Sequence, residues 1–531
     1  MSRTIVALAL LIGGVLPAAA DPVSIGAGIA AIAGFLSAPI IGTITVGGIL
    51  ASVAISVGIS LVASLLMPKP SGQGALGNSF GDGGINAPEV RYTERQSIPN
   101  KRVILGEAFV GGALFFEQVK APYLYLGLLL NHGEIDSVQK IFIGANQLSF
   151  SAISEGAALT PLGVADQPSY STRLQVSLGY GGAAQTIDPI LAADFSSLAS
   201  TFRQRGIARA VFRYHYGADQ TEFIELWGQV SRPNAYLLVR GVVVYDPRDP
   251  TQDLDDESTW AWSNNASLVQ AYYLTRDWGG RIATDKIDWD KVAEAADYDD
   301  ELVGCADGTF IKRFTIDGVA TLNQKPFDVM TALLTANRGQ VLSSRGMTWV
   351  SSSKPRTPVA AIYDSILAGG IEYRAAKPKR DLVNKLQVRF VASEQDYQTV
   401  DGPILDRTDL QADDGEVLTA TLDLPFTLDH RRAQRLQKAF LDTSRLGRTI
   451  TCKVDIAWLA VCAEDPIGNA VTFASDLFSQ ANGTYLVQSL AFADNFSTIE
   501  LALTEYDSSI ESDWNPSTDE QAFTLADLDV S

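Results

Sequence analysis

Apolar residues recur at helical spacing near the middle of the chain. Residues 326–337 begin with Pro326, which suits a first helical turn because its missing N–H would be unpaired there in any case. The spacing of the apolar positions predicts that one face of this helix is buried. The residues expected on that face are Phe327, Met330, Leu333 and Leu334.

The segments on either side of this helix have the pattern of strands. Residues 314–316 predict a short strand before it, and Gly339 is expected to end the helix in a left-handed conformation. Residues 340–350 then predict a β hairpin that turns at 343–346. The other segments of the chain are expected to pack around this strand, helix and hairpin.

The same two periodicities predict further elements. Asp288 and Asp429 precede helical patterns and are expected to cap them, because a carboxylate accepts hydrogen bonds from the free N–H groups of a first turn. Short strands with few long helices favour barrel-like domains. Residues 151–194 are low in charge and are expected to form a loop-like insertion. The predicted helices are 266–273, 289–298 and 430–442, and the predicted strands are 103–105, 113–116, 123–130, 138–143, 207–216, 236–245, 385–390, 450–456, 485–490 and 498–504.

The first 68 residues are strongly apolar. Residues 1–20 have the form of a secretory signal peptide, with one basic residue before an apolar run and three alanines before Asp21. No charged residue occurs in 22–68, and 40–67 alone is long enough to cross a bilayer. We expect two apolar helices that break at Pro39, followed by a flexible linker rich in Gly, Ser and Asn at 69–88.

Two interpretations of this apolar segment are open. It is either a signal peptide followed by a membrane anchor, or a segment stored inside an oligomer and later released into a membrane. Storage would be needed because exposed apolar surface costs roughly 25 cal/mol per Å² in water. The residues expected to insert into a membrane are Ile40, Ile41, Val46, Ile49, Leu50, Val53, Ile55, Val57, Ile59, Leu61, Leu65 and Leu66.

Charge narrows the classes of function. The formal net charge of −20 argues against a duplex-binding surface, which needs a basic stripe to replace phosphate counterions. A pore lined by carboxylates would instead let DNA slide without sticking.

Residues 246–257 carry six carboxylates and Arg248, which predicts a solvated acidic loop or, alternatively, a weak cation site. Residues 507–531 contain seven acidic and no basic residues, which predicts a solvated tail or a docking segment for a partner.

The sequence contains no recognisable catalytic or ligand-binding motif. We therefore predict no catalytic, cofactor-binding or metal-binding residues. His215 lies among aromatic residues on a predicted strand, where packing is its expected role. A glycosidase pair of carboxylates stays open, because such a pair needs only to lie about 5 to 10 Å apart in space. Core packing is also expected for Trp278, Trp289 and Trp349, and buried free thiols for Cys305, Cys452 and Cys462.

A succession of sequence blocks carries a family resemblance. The blocks are 263–303, 314–350, 380–390 and 429–441. In this order and spacing they resemble the central tail hub, or tip attachment, proteins of long-tailed (siphovirus-type) bacteriophages. The resemblance covers roughly residues 235–506 and is weaker over 87–233.

The resemblance implies a fold class and a set of domains. It implies an α+β, β-rich, multidomain tail hub with two barrel-like tube domains at 89–250 and 375–506. An α+β domain is expected at 251–374, beside the apolar helical segment at 1–68, the linker at 69–88 and the acidic tail at 507–531.

The resemblance also implies a function at the tail tip of the virion. The protein would be a homotrimer without enzymatic activity or cofactors, closing the distal tail tube and opening for envelope penetration and DNA ejection. Implied partners are distal tail and tail tube proteins, tail fibre or receptor-binding proteins, the tape measure protein and the host envelope membrane, with phage DNA passing unbound. The alternative is a secreted or membrane-anchored glycan-degrading enzyme, or an envelope adhesin, if the signal-like start is taken at face value.

Overall fold

The computed structural model describes most of the chain after residue 92. The described residues are 39–41, 44–45, 79–80, 93–95, 99–144, 146–162, 170–198, 200–217, 220–227, 233–395 and 397–523. Within them the protein is β-rich, and three large hydrophobic cores define three units. We call these the first β unit (102–240), the central unit (243–351 with 383–445) and the half-barrel unit (359–374 with 449–505).

The first β unit packs two antiparallel sheets on one core. Every strand pairing within the two sheets is antiparallel. Short helices at Tyr170–Arg173, Pro189–Asp194 and Gln220–Trp227 connect the strands. In spatial order the strands are Ala158–Leu159, Leu174–Gly179, Ile207–His215, Tyr123–His132 and Ala113–Lys120 in one sheet, and Glu107–Val110, Ala235–Arg240, Ser137–Ile143 and Asn146–Leu148 in the other.

The prediction of a loop-like insertion at 151–194 is wrong at its centre. Leu174–Gly179 is an inner strand, paired residue by residue with Ile207–His215. Leu174, Val176 and Leu178 alternate with more polar residues and are buried in the core. The segment resembles a loop because glycine and serine surround this short alternation, and neither is typical of strands.

The central unit combines helices, hairpins and a sheet. Arg102–Leu105 pairs with Gly318–Thr321 and so joins the first β unit to it. Its helices are Ala266–Thr275, Trp289–Asp300, Pro326–Thr335, Thr408–Asp414 and His430–Arg445. Its two-stranded pairs are Val243–Val244 with Ala261–Trp262, Leu302–Gly304 with Phe310–Lys312, and Gln340–Ser344 with Met347–Ser351. Its four-stranded sheet has the spatial order Gln398–Asp406, Lys385–Ala392, Thr419–Leu424 and Ser79–Phe80.

The helix at 326–337 is confirmed as Pro326–Thr335, with three corrections around it. The preceding strand is Gly318–Thr321 rather than 314–316. Phe327 is 50% exposed, because it lies in the first turn beyond the core, and Val329 is buried instead. Arg338 rather than Gly339 adopts the left-handed conformation, with φ of 49°. A side chain at 339 is excluded for another reason, since its Cβ would lie 2.5 Å from the Asn337 amide oxygen.

The predicted hairpin is confirmed, as are the two predicted helix caps. Arg345 and Gly346 both have positive φ, which matches the twist of a two-residue hairpin turn. Asp288 accepts a hydrogen bond from the N–H of Lys291, and Asp429 accepts from those of Arg431 and Arg432. These local features depend on neighbouring residues alone, so the sequence pattern was sufficient to find them.

The half-barrel unit is a six-stranded sheet that curls around its own core. Its two edge strands are separated in the chain only by residues 364–366, so the edges lie near each other. Trp458, in the short 3-10 helix Ile456–Ala460, is buried in the core. In spatial order the strands are Ala360–Tyr363, Ala470–Ala474, Gly483–Ala493, Thr498–Glu505, Thr449–Asp455 and Leu367–Arg374.

The observed sheets divide the chain differently from the predicted domains. Residues 360–374, predicted with the α+β domain, belong to the half-barrel sheet. Lys385–Ala392 and His430–Arg445, predicted in the second barrel-like domain, share the core of the central unit. The domain boundaries themselves stay predictions. Beyond the half-barrel, Ser509–Ser512 and Pro516–Asp519 are short helices.

The apolar N-terminal segment lies almost entirely outside the described residues. Pro39–Ile41 and Ile44–Thr45 form a small antiparallel pair, so the helix prediction is wrong at these positions, where β-branched residues favour strands. Ile40 and Ile41 are in this pair, and the other ten residues predicted to insert into a membrane lie outside the described residues. Over the described ranges, no helix is both long and apolar enough to span a bilayer.

The inner position of Leu174–Gly179 predicts a large loss of stability when a core side chain is removed. Leu178 is fully buried, so Leu178→Ala should lower the free energy of unfolding by about 2 to 5 kcal/mol. Leu162→Ala is the matched control, because Leu162 is 49% exposed and should lose little. Urea unfolding followed by circular dichroism measures both. Equal, small losses would contradict the strand's place in the core.

Candidate functional site

The blocks that carry the family resemblance meet in one place. Helices Ala266–Thr275, Trp289–Asp300 and Pro326–Thr335 pack with the hairpin that follows them, and the sheet and helix at 385–445 complete the same core. The buried side chains at this meeting point are Leu268, Val292, Leu333, Trp349, Leu386 and Leu436. The central unit is therefore the joint to which the other units attach.

A buried carboxylate ties the helices of this joint together. Asp299 is fully buried, and its oxygens accept hydrogen bonds from the Ser267 N–H at 2.8 Å and the Ser267 hydroxyl at 2.6 Å. The Ser352 hydroxyl donates at 2.5 Å and the Asn337 amide at 3.5 Å. Gln270 in turn bonds to Asn337 at 2.9 Å. One side chain thus connects two helices, the end of a third and the end of the hairpin.

The described residues around Asp299 supply hydrogen-bond donors but no ion-pair partner. Burial raises the pKa of Asp299 to about 6, although the hydrogen bonds from Ser267, Ser352 and Asn337 oppose the rise. A buried carboxylate held by neutral donors keeps part of its desolvation cost. The site therefore fixes geometry rather than offering a free acid or base to solvent.

A second buried carboxylate links the central unit to the first β unit. One oxygen of Asp317 accepts from the Glu107 N–H at 3.0 Å, and the other accepts from the Thr315 hydroxyl at 2.8 Å. The Asn264 amide lies 3.2 Å from the first oxygen. Gly106 has φ of 66°, and a Cβ there would lie 2.0 Å from the Ile316 carbonyl oxygen. Close backbone approach and a shared carboxylate thus join the two units.

Arg356 joins the central unit to the half-barrel. Its guanidinium donates to the Ser351 hydroxyl at 2.6 Å and to Asn469 at 3.2 Å, and its N–H donates to the Tyr506 hydroxyl at 2.9 Å. Burial lowers the pKa of Arg356. A polar cavity of about 190 Å³ lies at this junction, with Lys291 among the residues that line it.

The acidic C-terminal segment docks on the chain's own helix His430–Arg445. Lys438 binds the carboxylates of Asp519 at 2.8 Å and Asp513 at 3.3 Å. Arg338 and Glu511 form a largely buried ion pair at 2.8 Å. The ring of Phe523 stacks on His430 with centroids 5.3 Å apart. The prediction of a solvated tail is therefore wrong for 507–523, and 524–531 lie outside the described residues.

The acidic loop at 246–257 is held by its own arginine. Arg248 binds Asp246 at 2.7 Å, Asp300 at 2.9 Å and Asp297 at 3.1 Å. Hydrogen bonding to Asp246 and the other two carboxylates raises the pKa of Arg248. In the described ranges, no three His, Cys, Asp or Glu side chains converge as metal ligands.

The other residues singled out in the sequence pack as predicted, except Cys462, which is predicted to be buried. His215 accepts a hydrogen bond from the Gly217 N–H at 3.1 Å and lies edge-on to Tyr123. All three cysteines are free, and Cys462 is only partly buried. Burial raises the pKa of Cys452 to about 12, so its thiol is unreactive. Trp278, Trp289 and Trp349 all pack against the core of the central unit.

Sequence reasoning missed the polar ties of this joint. Asp299 lies in an acidic stretch, DYDDE, where nothing in the sequence distinguishes a buried aspartate from exposed ones. A hint exists at Ser267, because a serine near a helix start is a ready donor. Arg356 gave no signal, since its partners at 351, 469 and 506 are distant in the chain.

The chain is similar to one known protein family in sequence and to several solved structures in fold. Residues 325–468 match the model of a family described as "Putative phage tail protein". A chain of the virion of the native gene transfer agent (GTA) particle has a TM-score of 0.55 at 16% identity, covering 88% of this chain and 98% of that chain. No curated protein matches the chain.

Two further solved structures are of tail proteins, at much lower structural similarity. The tail protein from Neisseria meningitidis MC58 has a TM-score of 0.28 at 11% identity, covering 80% of this chain and 97% of that one. The 43 kDa tail protein of prophage MuSo2 from Shewanella oneidensis has a TM-score of 0.28 at 9% identity, covering 77% and 99%.

The family match and the fold match cover different shares of the chain. The resemblance to phage tail proteins, inferred from the sequence blocks, is confirmed, and the family match falls on the central unit and the start of the half-barrel. Over nearly its whole length the chain shares the fold of a chain in the GTA virion. The likeness is thus to tail proteins over residues 325–468 and, in fold, to a virion chain.

The buried state of Asp299 predicts a specific dependence of stability on pH. Its folded pKa of about 6 lies above the ordinary value of 3.8, so its contribution to stability is complete below about pH 4 and is lost as pH rises through 6. Over that rise the wild type should lose on the order of 3 kcal/mol more stability than Asp299→Asn, which cannot ionise.

Chemical denaturation across this pH range measures the difference between the two proteins. Asp285→Asn is the matched control, because Asp285 is exposed and should leave the wild-type profile unchanged. An identical pH profile for wild type and Asp299→Asn would show that Asp299 is not buried in this way.

Proposed function

We propose that the protein is the hub of a phage-type tail tip, a structural subunit without enzymatic activity that closes the distal tail tube. The observation that carries this proposal is the fold shared with a GTA virion chain over nearly the full length of both chains. The family match to the central unit adds a tail protein likeness where the units join. The buried polar ties there suit a part that holds other parts in fixed positions.

The arrangement of units suits a ring of three copies. Each chain has two β-rich units, the first β unit and the half-barrel, on one central unit. Three copies would place six such units around an axis and so match a hexameric tail tube. Tail tube, fibre and tape measure proteins are the partners that such a position implies.

Charge supports a passage for DNA rather than a binding site for it. The net charge of −20 would repel phosphates from the walls of a channel. DNA would then pass without specific contacts. In this proposal the apolar residues 25–67 are held inside the closed ring and enter the host envelope when the ring opens.

The first test is the assembly itself. Mass photometry should find three copies of the 57.0 kDa chain, and electron microscopy should find a threefold ring. Its axial channel should be wide enough for a DNA duplex. A monomer without a channel would contradict the proposal and favour the secreted enzyme or adhesin.

The second test separates assembly from delivery. Deleting 25–67 should leave particles intact and abolish DNA transfer to host cells, because only the envelope-penetrating segment is lost. Replacing 25–67 by a Gly/Ser segment of equal length is the matched control for chain length, and it should also fail to transfer DNA. Loss of the particles themselves would show instead that the segment is architectural.

A further inference from the structure

The half-barrel ends in an apolar tip that nothing in the described chain covers. The strands Gly483–Ala493 and Thr498–Glu505 form a hairpin, with Phe492 near the end of the first strand and Phe496 in the turn. These side chains are 53% and 59% exposed, and their ring centroids lie 5.5 Å apart. Ile456 lies beside them, since its N–H donates to the Ser497 carbonyl. We call these three residues and their turn the tip.

The backbone of the turn is held in an unfavourable conformation. Asp494, Asn495 and Phe496 have φ of 50°, 57° and 65° in succession. A phenylalanine in this left-handed region is uncommon, and such strain persists where surrounding contacts fix it, most often at functional positions. Asp494 supplies those contacts by accepting from the Thr498 hydroxyl at 2.7 Å and from Lys453 at 3.3 Å. The fold thus maintains a strained turn that exposes an aromatic ring.

The charges around the tip are mainly negative. Asp455, Asp494 and Glu500 are exposed there, and Lys453 is the neighbouring cation. Three carboxylates against one ammonium leave a local charge of −2. A surface that accepts the tip should therefore be apolar at its centre and basic at its rim.

A surface of that kind lies beyond the opposite end of the half-barrel, where residues 374–381 meet the central unit. Residues 374–381 contain four cations and one carboxylate, and Glu416 binds Lys379 at 3.1 Å, which leaves +2. Val417 follows Glu416 and is 58% exposed, and Arg380 is 79% exposed in its side chain. We call residues 374–381 with Glu416 and Val417 the basic patch.

Geometry prevents the tip from reaching the basic patch of its own chain. Strand Thr449–Asp455 pairs with Arg374 at its first residue and with Thr498, beside the tip, at its last. Seven strand residues separate the two ends by about 20 Å. Any contact between tip and patch must therefore join two copies of the chain.

We propose that the tip of one copy docks on the basic patch of the next. The contact uses two different surfaces, so each copy gives its tip to one neighbour and its patch to the other, and a closed ring results when the rotation between copies allows it. Phe492 and Phe496 pack on Val417 while the carboxylates of the tip face Lys379 and Arg380. This inference rests on the proposed trimer and adds to it the surfaces that hold the trimer together.

The test uses complementary variants of the full-length chain. Phe492→Ser with Phe496→Ser removes the tip, and Lys379→Glu with Arg380→Glu reverses the patch. Each variant alone should associate about tenfold or more weakly than wild type, because central aromatic anchors dominate the affinity of an interface. An equimolar mixture of the two should form dimers but no trimers, since one intact tip and one intact patch remain. Mass photometry over a range of concentrations counts the copies.

Matched controls separate this contact from general effects. Leu477→Ser removes an exposed apolar side chain of the half-barrel, and Lys101→Glu with Lys140→Glu reverses two exposed charges in or next to the first β unit. Both should remain trimeric. Circular dichroism melts of all variants should match the wild type. Rising salt should weaken the wild-type trimer, because the charges around the contact are partly exposed.

Each other outcome overturns the proposal in a recognisable way. Trimers of the tip or patch variants would overturn this contact and leave the proposed ring in place. A wild-type chain that is monomeric at every concentration would overturn the contact and the ring together.

Vesicles of phosphatidylcholine and phosphatidylglycerol test whether the tip binds a membrane instead of a second copy of the chain. Flotation of wild type but not of the tip variant, with no change in copy number, would assign the tip to lipid.

Discussion

A carboxylate buried without a cation is the constraint on which the central unit depends. Asp299 accepts all its hydrogen bonds from hydroxyl, amide and backbone groups, so its desolvation is only partly offset. Such a group is tolerated when the donors around it are fixed by packing. The helices that supply those donors are packed in the largest core of the described chain. The hydrogen bonds of Asp299 therefore depend on the packing of the apolar core, and the arrangement of the packed helices depends on those hydrogen bonds.

The other units attach to this rigid centre through similar polar contacts. Asp317 connects the strand ladder of the first β unit, and Arg356 connects the half-barrel. The C-terminal segment is held by the buried pair of Arg338 and Glu511. Separating such buried partners would leave polar groups unsatisfied, so these contacts favour the orientations in which the partners meet. A protein whose role is to hold several neighbours at fixed angles benefits from such specification.

Much of the fold could be predicted from the sequence where local patterns were sufficient. The helices beginning at 266, 289, 326 and 430 and most strands were found, because periodicity and caps are properties of neighbouring residues. Leu174–Gly179 was missed because its alternation is short and interrupted by glycine and serine. Phe327 lies on the predicted helix face but is exposed. Helical spacing identifies which face of a helix is apolar, but not how much of that face the neighbouring elements cover.

The candidate site was much less accessible to sequence reasoning. The family resemblance located the blocks that build it, but not the residues that tie them. Asp299 and Arg356 acquire their roles from partners up to 150 residues away, as the bond from Arg356 to Tyr506 shows. The sheet to which a strand belongs was equally hard to predict, since the strands in 360–374 pair with strands that begin at residue 449 or later. Long-range pairing leaves no periodic trace in the chain.

The strands of the half-barrel sheet come from both sides of residues 385–445 in the chain. This order has a consequence for folding during synthesis on the ribosome. The first two strands of the sheet emerge long before their partners, because the sheet and helix of residues 385–445 intervene. The early strands, Ala360–Tyr363 and Leu367–Arg374, must wait with open edges until residue 449 and beyond have left the exit tunnel. Long-range pairing of this kind is intrinsically slow and leaves strands prone to aggregation. The nascent chain is therefore most vulnerable in this interval, and translation pauses there would lower the yield of folded protein.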